Sequence, residues 1–215
     1  MNENLMEKLK SFFERYSVLK YQEKDIVYRP DEMVEQVAFV KQGYVRLYNY
    51  DKSGREITYS GFKPIFLMSY FLAKKKTANK YFFQALTDLE IWKAPLDDFE
   101  KFLKLESQLV IDLTMLSLGS FNETLTAWEN SISGDAYVRV GRLLLMLARD
   151  YGKVVDGKEV IEFKTTHQLI ASMLGVSRET ASIQIKRIEN EGLIFQGEDA
   201  IVIENKEKMV EKFDI

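Results

Sequence analysis

The sequence contains no cysteine, and this absence excludes several kinds of site. Structural disulfides, thiolate zinc sites and cysteine-ligated iron–sulfur clusters all require that residue. There is a single histidine, His167, which leaves little material for a histidine-based metal or haem site. The sequence therefore predicts a protein with no cofactor and no metal site.

Long apolar runs and catalytic patterns are also missing. No stretch approaches the roughly 18 consecutive apolar residues that indicate a membrane-spanning helix. The N-terminal MNENLMEKLK is polar and mixed in charge, unlike a targeting segment. No nucleophile–base pair, carboxylate dyad or phosphate-binding glycine loop stands out. We therefore expect a cytoplasmic protein that has no membrane partner and is not an enzyme.

The charge is acidic overall but unevenly distributed. The 215 residues carry a formal net charge of −3, with 46% hydrophobic and 29% charged residues, as in ordinary globular proteins. Residues 164–190, however, include four basic and two acidic side chains, so the net charge of this segment is +2. A locally basic segment in an acidic chain permits nucleic-acid recognition, because charge distribution matters more than the total.

The first half of the chain changes from a helical to a β pattern. One apolar face is predicted in a first helix, by Leu5, Met6, Leu9, Phe12, Phe13 and Tyr16. Apolar and polar residues alternate at 44–48 and at 56–59, on either side of Asp51-Lys52-Ser53-Gly54. This pattern indicates a hairpin. Residues 89–92 form a further strand, and Pro95 opens a short helix through Leu103. Many short strands without long intervening helices favour a roll or barrel.

A long helix is predicted over residues 106–133, about 42 Å at the rise of an α-helix. Its apolar residues favour a seam with a partner helix, although packing on its own domain would use the same stripe. Ser133-Gly134 breaks the pattern, and Asp135 can cap a new helix through Arg149. The dimerisation residues predicted in the stripe are Leu109, Leu113, Leu116, Phe121, Leu125 and Trp128.

Residues 166–190 fit two helices joined by a tight turn. Gly175 ends the first where a left-handed conformation is needed, and Ser177 caps the second. Ala181, Ile185 and Ile188 recur at helical spacing and should face the core. After this pair, apolar runs at 193–195 and 200–203 flank Gln196-Gly197-Glu198-Asp199, which predicts a wing hairpin.

The opposite face of the second helix carries side chains suited to DNA. An arginine can bond guanine bidentately, a glutamate can accept from cytosine, and a lysine can hold phosphate. The residues on this face are Arg178, Glu179, Ser182, Ile183 and Lys186.

The stretch GVSRETASIQIKRIENEGLI, residues 175–194, resembles the recognition-helix signature of the Crp/Fnr superfamily of bacterial transcription regulators. The resemblance is strong over 165–195 and extends in pattern to the rest of the chain. It implies an α+β fold: a cyclic-nucleotide-binding-like β-roll (1–105), a dimerisation helix and hinge (106–134) and a winged helix-turn-helix domain (135–215). It also implies a homodimer on a two-fold DNA operator with half-sites about 34 Å apart, and contact with RNA polymerase if the protein activates transcription.

The resemblance also assigns roles to residues. Base reading falls to Arg178, Glu179, Ser182 and Ile183, and phosphate contacts fall to Thr166, His167, Gln168, Ser177 and Lys186. Position 183 is often arginine in the superfamily. Here Ile183 either contacts a thymine methyl or packs against a neighbouring helix.

The effector is not identified by the sequence. A cyclic nucleotide requires a Gly-Glu pair and an arginine for its phosphate, but Leu67-Met68 stands at the pair and no arginine occurs between Arg55 and Arg139. Lys76-Thr77-Ala78 is only a partial match, and Lys74-Lys75-Lys76 is predicted to be a solvated loop. An aromatic-rich set is either an effector pocket or filled core: Phe62, Phe66, Met68, Tyr70, Phe71, Tyr81, Phe82 and Phe83. The alternative function is a small-molecule sensor or interaction module that no longer reads DNA.

Overall fold

A computed structural model describes residues 3–62, 66–198 and 200–213. Their contacts divide the chain into two compact units. The first comprises residues 1–49 and 59–123, and the second comprises residues 50–58 and 124–215. The division falls ten residues before the helix break predicted at Ser133-Gly134, between Glu123 and Thr124.

The first unit begins with a helix and continues through short strands into two further helices. Two four-stranded sheets of order β1-β8-β3-β6 and β2-β7-β4-β5 build the predicted β-roll. In chain order the elements are α1 (Glu3–Phe13), β1 (Val18–Tyr21), β2 (Ile26–Tyr28), β3 (Gln36–Gln42), β4 (Val45–Tyr50), β5 (Glu56–Phe62), β6 (Phe66–Met68), α2 (Tyr70–Lys75), β7 (Phe82–Ala85), β8 (Leu89–Pro95), α3 (Leu96–Leu105) and α4 (Ser107–Ile132).

Strand β3 lies between two hydrophobic cores and contributes side chains to both. Its side chains alternate between the two faces of the sheet, as in any strand. Val37 and Phe39 join a core with α1 and α3, whereas Ala38 and Val40 join a second core inside the roll. All four are at most 1% exposed. A strand buried on both faces has no polar alternation, and this is why the sequence pattern did not identify it.

The predicted turn at residues 51–54 is present and is held by one carboxylate. Asp51 Oδ1 accepts from the Ser53 amide at 2.8 Å, the Ser53 hydroxyl at 2.6 Å and the Arg55 amide at 3.0 Å. Gly54 has a φ of 81°, which glycine adopts without steric cost. The hydrogen bond from the Ser53 hydroxyl, followed by that from the Arg55 amide, lowers the pKa of Asp51 to about 2.

Helix α1 buries the predicted apolar face, and α3 runs two residues beyond the predicted end at Leu103. Phe12 stacks on Phe102 with ring centroids 4.6 Å apart, and Phe13 stacks on Phe39 at 5.0 Å. Aromatic pairing therefore links both helices to the sheet beneath them.

Helix α4 contradicts part of the predicted dimer stripe. Leu109 is 1% exposed and belongs to the core that α1 and α3 form, and Leu113 and Leu116 pack against the same core. These three leucines serve the fold of their own unit, because the helix rests on the roll along its first half. The exposed apolar residues of α4 lie on another face: Val110, Ile111, Met115, Leu118, Phe121, Leu125, Trp128 and Ile132.

The second unit contains α5, the helix-turn-helix formed by α6 and α7, a four-stranded sheet and a C-terminal helix, α8. Its sheet has the order β11-β12-β10-β9, so the predicted wing is extended by a second hairpin. The elements are α5 (Ala136–Tyr151), β9 (Gly152–Val155), β10 (Lys158–Ile161), α6 (His167–Leu174), α7 (Arg178–Asn190), β11 (Ile194–Gln196), β12 (Ile201–Ile203) and α8 (Lys206–Phe213).

Helix α5 carries the core of this unit and ends at Tyr151, two residues beyond the predicted end. Asp135 caps it by accepting from the Val138 amide at 3.0 Å, as predicted. At Gly141 the absence of a side chain makes room for the ring of Phe213 on α8, which is 1% exposed. The sequence pattern did not predict α8 or the β9–β10 hairpin, because both elements are short and largely polar on one face.

Candidate nucleic-acid interface

The first helix of the pair, α6, begins and ends where the sequence predicts. The Thr166 hydroxyl accepts from the Leu169 amide at 3.1 Å and so caps the helix. Gly175 ends it with a φ of 64°. The last turn also receives a hydrogen bond from the Arg139 guanidinium of α5 to the Leu174 carbonyl. A cation at a helix C-terminus is favourable, and sequence reasoning missed Arg139 because the contact crosses between helices.

The second helix, α7, is fixed to the unit by a fully buried face. Ala181, Ile185 and Ile188 are each 0% exposed, as their spacing predicts. The Ser177 hydroxyl caps the helix by accepting from the Thr180 amide at 3.0 Å. Because both ends of the α6–α7 turn are capped, the orientation of α7 is determined by local geometry as well as by packing.

The outward face of α7 presents four of the predicted DNA-contacting side chains to solvent: Arg178, Glu179, Ile183 and Lys186. Ser182, the fifth, is half-buried. Ile183 is 64% exposed, so the alternative in which it packs against a neighbouring helix is wrong. An exposed isoleucine in the middle of a polar helix face is available for an apolar contact with a ligand.

The carboxylate of Glu179 lies over the start of α7. Its pKa is lowered by hydrogen bonds from its own amide and then from the Ser177 hydroxyl. It is therefore ionised at neutral pH and can only accept hydrogen bonds, as a contact with a cytosine amino group requires.

A groove of about 500 Å³ lies between the start of α6, the start of α7 and the wing. Its walls include Lys164, His167, Gln168, Arg178 and Gln196. Thus four residues assigned to DNA share one concave surface: Thr166, His167, Gln168 and Arg178. Lys164 and Gln196 are additions that sequence reasoning did not assign, although Lys164 belongs to the locally basic segment. Asp199, at the predicted wing turn, lies outside the described residues.

Two of the predicted phosphate contacts have protein partners. His167 Nε2 lies 3.1 Å from Gln196 Oε1 in the wing. Lys186 Nζ lies 2.7 Å from Glu189 Oε2 on the same helix. Thr166 and Ser177 use their hydroxyl oxygens as helix caps. The Thr166 hydroxyl keeps a proton that it can donate to phosphate, whereas the Ser177 hydroxyl already donates to the Glu179 carboxylate.

Comparisons with known proteins agree with this geometry. A model of the cyclic nucleotide-binding domain matches residues 18–106, and a model of the Crp-like helix-turn-helix domain matches residues 138–211. The two matches follow each other along the chain in the order that the fold shows. The chain belongs to the Crp/Fnr superfamily.

Curated and solved members of this superfamily resemble the chain over most of its length. A global nitrogen regulator from Nostoc sp. is 28% identical over 162 residues, covering 73% of this chain and 71% of that protein. A second global nitrogen regulator, from Synechocystis sp., is 25% identical and covers 87% of this chain and 84% of its own. A CRP-family transcriptional regulator from Thermus thermophilus shares the fold with a TM-score of 0.79 at 17% identity, over 92% of this chain and 97% of its own.

In the roll of this Crp/Fnr protein, the region where a cyclic-nucleotide cassette is expected contains two buried side chains, those of Met68 and Asn79. Met68 is 1% exposed in the inner core. Asn79 is also 1% exposed, and its amide donates to the carbonyls of Arg29 at 2.8 Å and Tyr81 at 2.5 Å while accepting from the Tyr81 amide at 3.1 Å. Backbone therefore occupies the polar groups of the Asn79 side chain.

The described members of the aromatic-rich set do not line one pocket. Met68 and Phe83 belong to the inner core, Tyr70 packs against the other core, and Phe71 is 68% exposed. The side chains of Phe62 and Phe66 lie outside the described residues, as do Lys63, Pro64 and Ile65. Two of the six described members are therefore core residues, Met68 and Phe83, and Tyr70 and Tyr81 pack against a core while remaining partly exposed.

The lysine run is also placed differently from the prediction of a loop. Lys74 and Lys75 form the last turn of α2, and Lys76 ends the helix in a left-handed conformation. Lys74 forms an ion pair with Glu100 of α3.

Residues 3–62, 66–198 and 200–213 contain neither a cluster of metal-ligand side chains nor a membrane-spanning helix. No three histidine, aspartate or glutamate side chains come together there as a metal ion would require. None of the described helices has both the length and the apolar character to cross a membrane.

Proposed function

We propose that this Crp/Fnr protein is a homodimeric, sequence-specific transcription regulator that binds a two-fold-symmetric DNA operator. The observation that carries the proposal is the two-sided construction of α7, with Ala181, Ile185 and Ile188 fully buried and Arg178, Glu179 and Ile183 exposed. A helix held in this way inserts one face into a major groove while its other face stays in the core.

The exposed side chains divide into base readers and phosphate contacts. Arg178, Glu179, Ser182 and Ile183 read base edges. The phosphate contacts are Thr166, His167, Gln168, Ser177 and Lys186, with Lys164 and Gln196 added from the groove. Phosphate contacts position the helix on any duplex, and base contacts supply the sequence preference.

The homodimer seam lies on the exposed apolar stripe of α4: Ile111, Met115, Leu118, Phe121, Leu125, Trp128 and Ile132. From Ile111 to Ile132 there are 21 residues in six steps, an average of 3.5 residues. This is the repeat at which two helices keep a continuous seam in contact. The stripe replaces the predicted seam through Leu109, Leu113 and Leu116, which the roll occupies.

Control by a cyclic nucleotide is not part of the proposal. The chain lacks an arginine between Arg55 and Arg139 for the cyclic phosphate, and the polar groups of Asn79 are bound to backbone. We propose a roll (1–105), a dimerisation helix (106–134) and a DNA-binding domain (135–215), in a cytoplasmic protein that acts without catalysis. RNA polymerase is its partner if it activates transcription.

Selection of bound fragments from a random genomic library tests the proposal. The full-length protein is expected to enrich a two-fold-symmetric motif with half-sites about 34 Å apart. Arg178→Ala is expected to weaken binding to that motif by about 1–3 kcal/mol and to relax preference at one base pair in each half-site. If the wild-type protein enriches no sequence at low salt, the result contradicts the regulator function and supports that of a sensor or interaction module.

A further inference from the structure

The Glu189 carboxylate contacts Lys186 on α7 and Gln196 in the wing, and Gln196 in turn reaches His167 on α6. Glu189 lies near the end of α7, and its side chain is 20% exposed. One carboxylate oxygen accepts from the backbone amide of Gln196 in β11 at 3.1 Å. The other accepts from the ammonium of Lys186 at 2.7 Å.

The first contact fixes the wing to the recognition helix. Strand β11 is an edge strand of its sheet, so its outward amides lack a strand partner. Glu189 satisfies the amide of Gln196, and the Gln196 side chain reaches His167 on α6 at 3.1 Å. The wing is thus attached at one residue to both helices of the pair.

The second contact restrains a cation that faces DNA. Lys186 follows Ile183 by about one helical turn on the exposed face, and its side chain is 68% exposed. Its ammonium must leave the Glu189 carboxylate, or share it, before it can neutralise a phosphate. The hydrogen bonds from Lys186 and then from Gln196 lower the pKa of Glu189, so the carboxylate remains charged at neutral pH.

Building on the proposed DNA binding, we propose that Glu189 is a positioning residue that sets specificity. Its hydrogen bond to the Gln196 amide holds the wing on α7, and its ion pair keeps the Lys186 ammonium from the phosphates of DNA that is not fully docked. In a random duplex the ion pair persists, and Lys186 adds little affinity. In a fully docked operator complex a phosphate replaces the carboxylate. Glu189 thereby lowers affinity for DNA of any sequence more than it lowers affinity for the operator.

The test compares the salt dependence of binding to a random duplex for the wild-type protein and Glu189→Gln. Glutamine keeps an oxygen for the Gln196 amide but removes the charge that holds Lys186. One additional phosphate contact steepens the slope of log affinity against log salt by about 0.9. The proposed dimer gains one contact in each protomer, so the slope steepens by about 1.8, an additional loss of roughly 12-fold between about 50 and 200 mM salt. We expect this change in Glu189→Gln.

Two controls separate the ion pair from general charge effects. Glu207→Gln removes the same charge from an exposed position on α8 and is expected to leave the slope at the wild-type value. Combining Glu189→Gln with Lys186→Gln should abolish the increase. A wild-type slope in Glu189→Gln, an equal increase in Glu207→Gln, or an increase that survives in the double variant would each overturn the proposal.

The wing anchor is tested by Glu189→Leu, which removes the acceptor as well as the charge. Loss of one hydrogen bond corresponds to roughly 2- to 13-fold in affinity, and we expect at least this loss of operator binding relative to Glu189→Gln. Equal operator affinity in the two variants would refute the anchor. If the leucine variant does not fold, Glu189→Gln still decides the role of Lys186. The random-duplex measurement needs no operator, so its failure is distinct from a failure of the wild type to enrich any sequence.

Discussion

The effect of Gly141→Ala on the free energy of unfolding is expected to change sign when Phe213 is replaced by alanine. A β-carbon built at Gly141 of α5 lies 2.5 Å from the Cδ1, Cε1 and Cε2 atoms of the Phe213 ring. Real β-carbons do not approach other atoms so closely, and the ring cannot retreat easily because Phe213 is 1% exposed. Arg142 Nε also holds the Phe213 carbonyl at 2.9 Å. The perturbation is Gly141→Ala, with and without Phe213→Ala.

The magnitudes follow from two opposing effects. Alanine in a helix interior is more favourable than glycine by about 1 kcal/mol, whereas overpacking a core costs about 1–3 kcal/mol. Gly141→Ala should therefore change the free energy of unfolding by between about zero and −2 kcal/mol. Phe213→Ala alone should cost about 3–5 kcal/mol. In that background the clash is absent, and Gly141→Ala should stabilise by about 1 kcal/mol.

Urea unfolding followed by far-ultraviolet circular dichroism measures the four free energies, and amide hydrogen exchange in α5 and α8 locates the effect. Gly119→Ala is the matched control, since Gly119 also lies in a helix but nothing lies within 4 Å of its built β-carbon. It should stabilise the wild-type protein by about 1 kcal/mol. If Gly141→Ala has the same effect in both backgrounds to within about 0.5 kcal/mol, the two residues are independent and the reasoning is wrong.

Three other changes test separate parts of the molecule. Ile183→Arg should shift preference at one base pair of each half-site from A·T towards G·C, because an arginine bonds guanine and an isoleucine meets a thymine methyl; an unchanged enriched motif would remove Ile183 from the base readers. Met115→Glu should give monomers in sedimentation experiments, whereas Thr126→Glu, exposed but outside the apolar stripe, should leave dimers; dimers in both variants would place the seam elsewhere. The pKa of Asp51 lies near 2, below its usual 3.8, so its turn should contribute stability that is complete above about pH 4 and is lost as the pH falls through 2. Titration of the Asp51 carboxyl by NMR checks the value, and a midpoint near 3.8 would contradict the hydrogen-bonded turn.

The helix-turn-helix was predictable because its determinants are local. The caps Thr166 and Ser177 and the left-handed Gly175 act within four residues of the positions they specify. The Asp51 turn was predictable for the same reason. These features depend on backbone conformation, and the side chain that determines it is adjacent in sequence.

The dimer stripe shows where local reasoning failed. Helical periodicity identified apolar residues along α4, but it cannot state which apolar face the roll occupies. Leu109 turned inward because α1 and α3 meet it there, and Met115 remained outside. The choice between the two faces depends on α1, which lies about a hundred residues away in the chain, as well as on the neighbouring α3.

By itself, therefore, the sequence determined the superfamily, the order of roll, long helix and winged helix-turn-helix, and the faces of α7. The faces of α7 follow from the short-range spacing of apolar, capping and glycine residues. The superfamily and the order of its parts follow from the resemblance of residues 175–194 to a known recognition-helix signature. Tertiary structure decided which residues of α4 remain exposed, that Phe213 packs against Gly141, and that Glu189 links Lys186 to the wing. The contact between Gly141 and Phe213 and that between Glu189 and Gln196 join different elements, and only the packed fold brings their atoms within reach of each other.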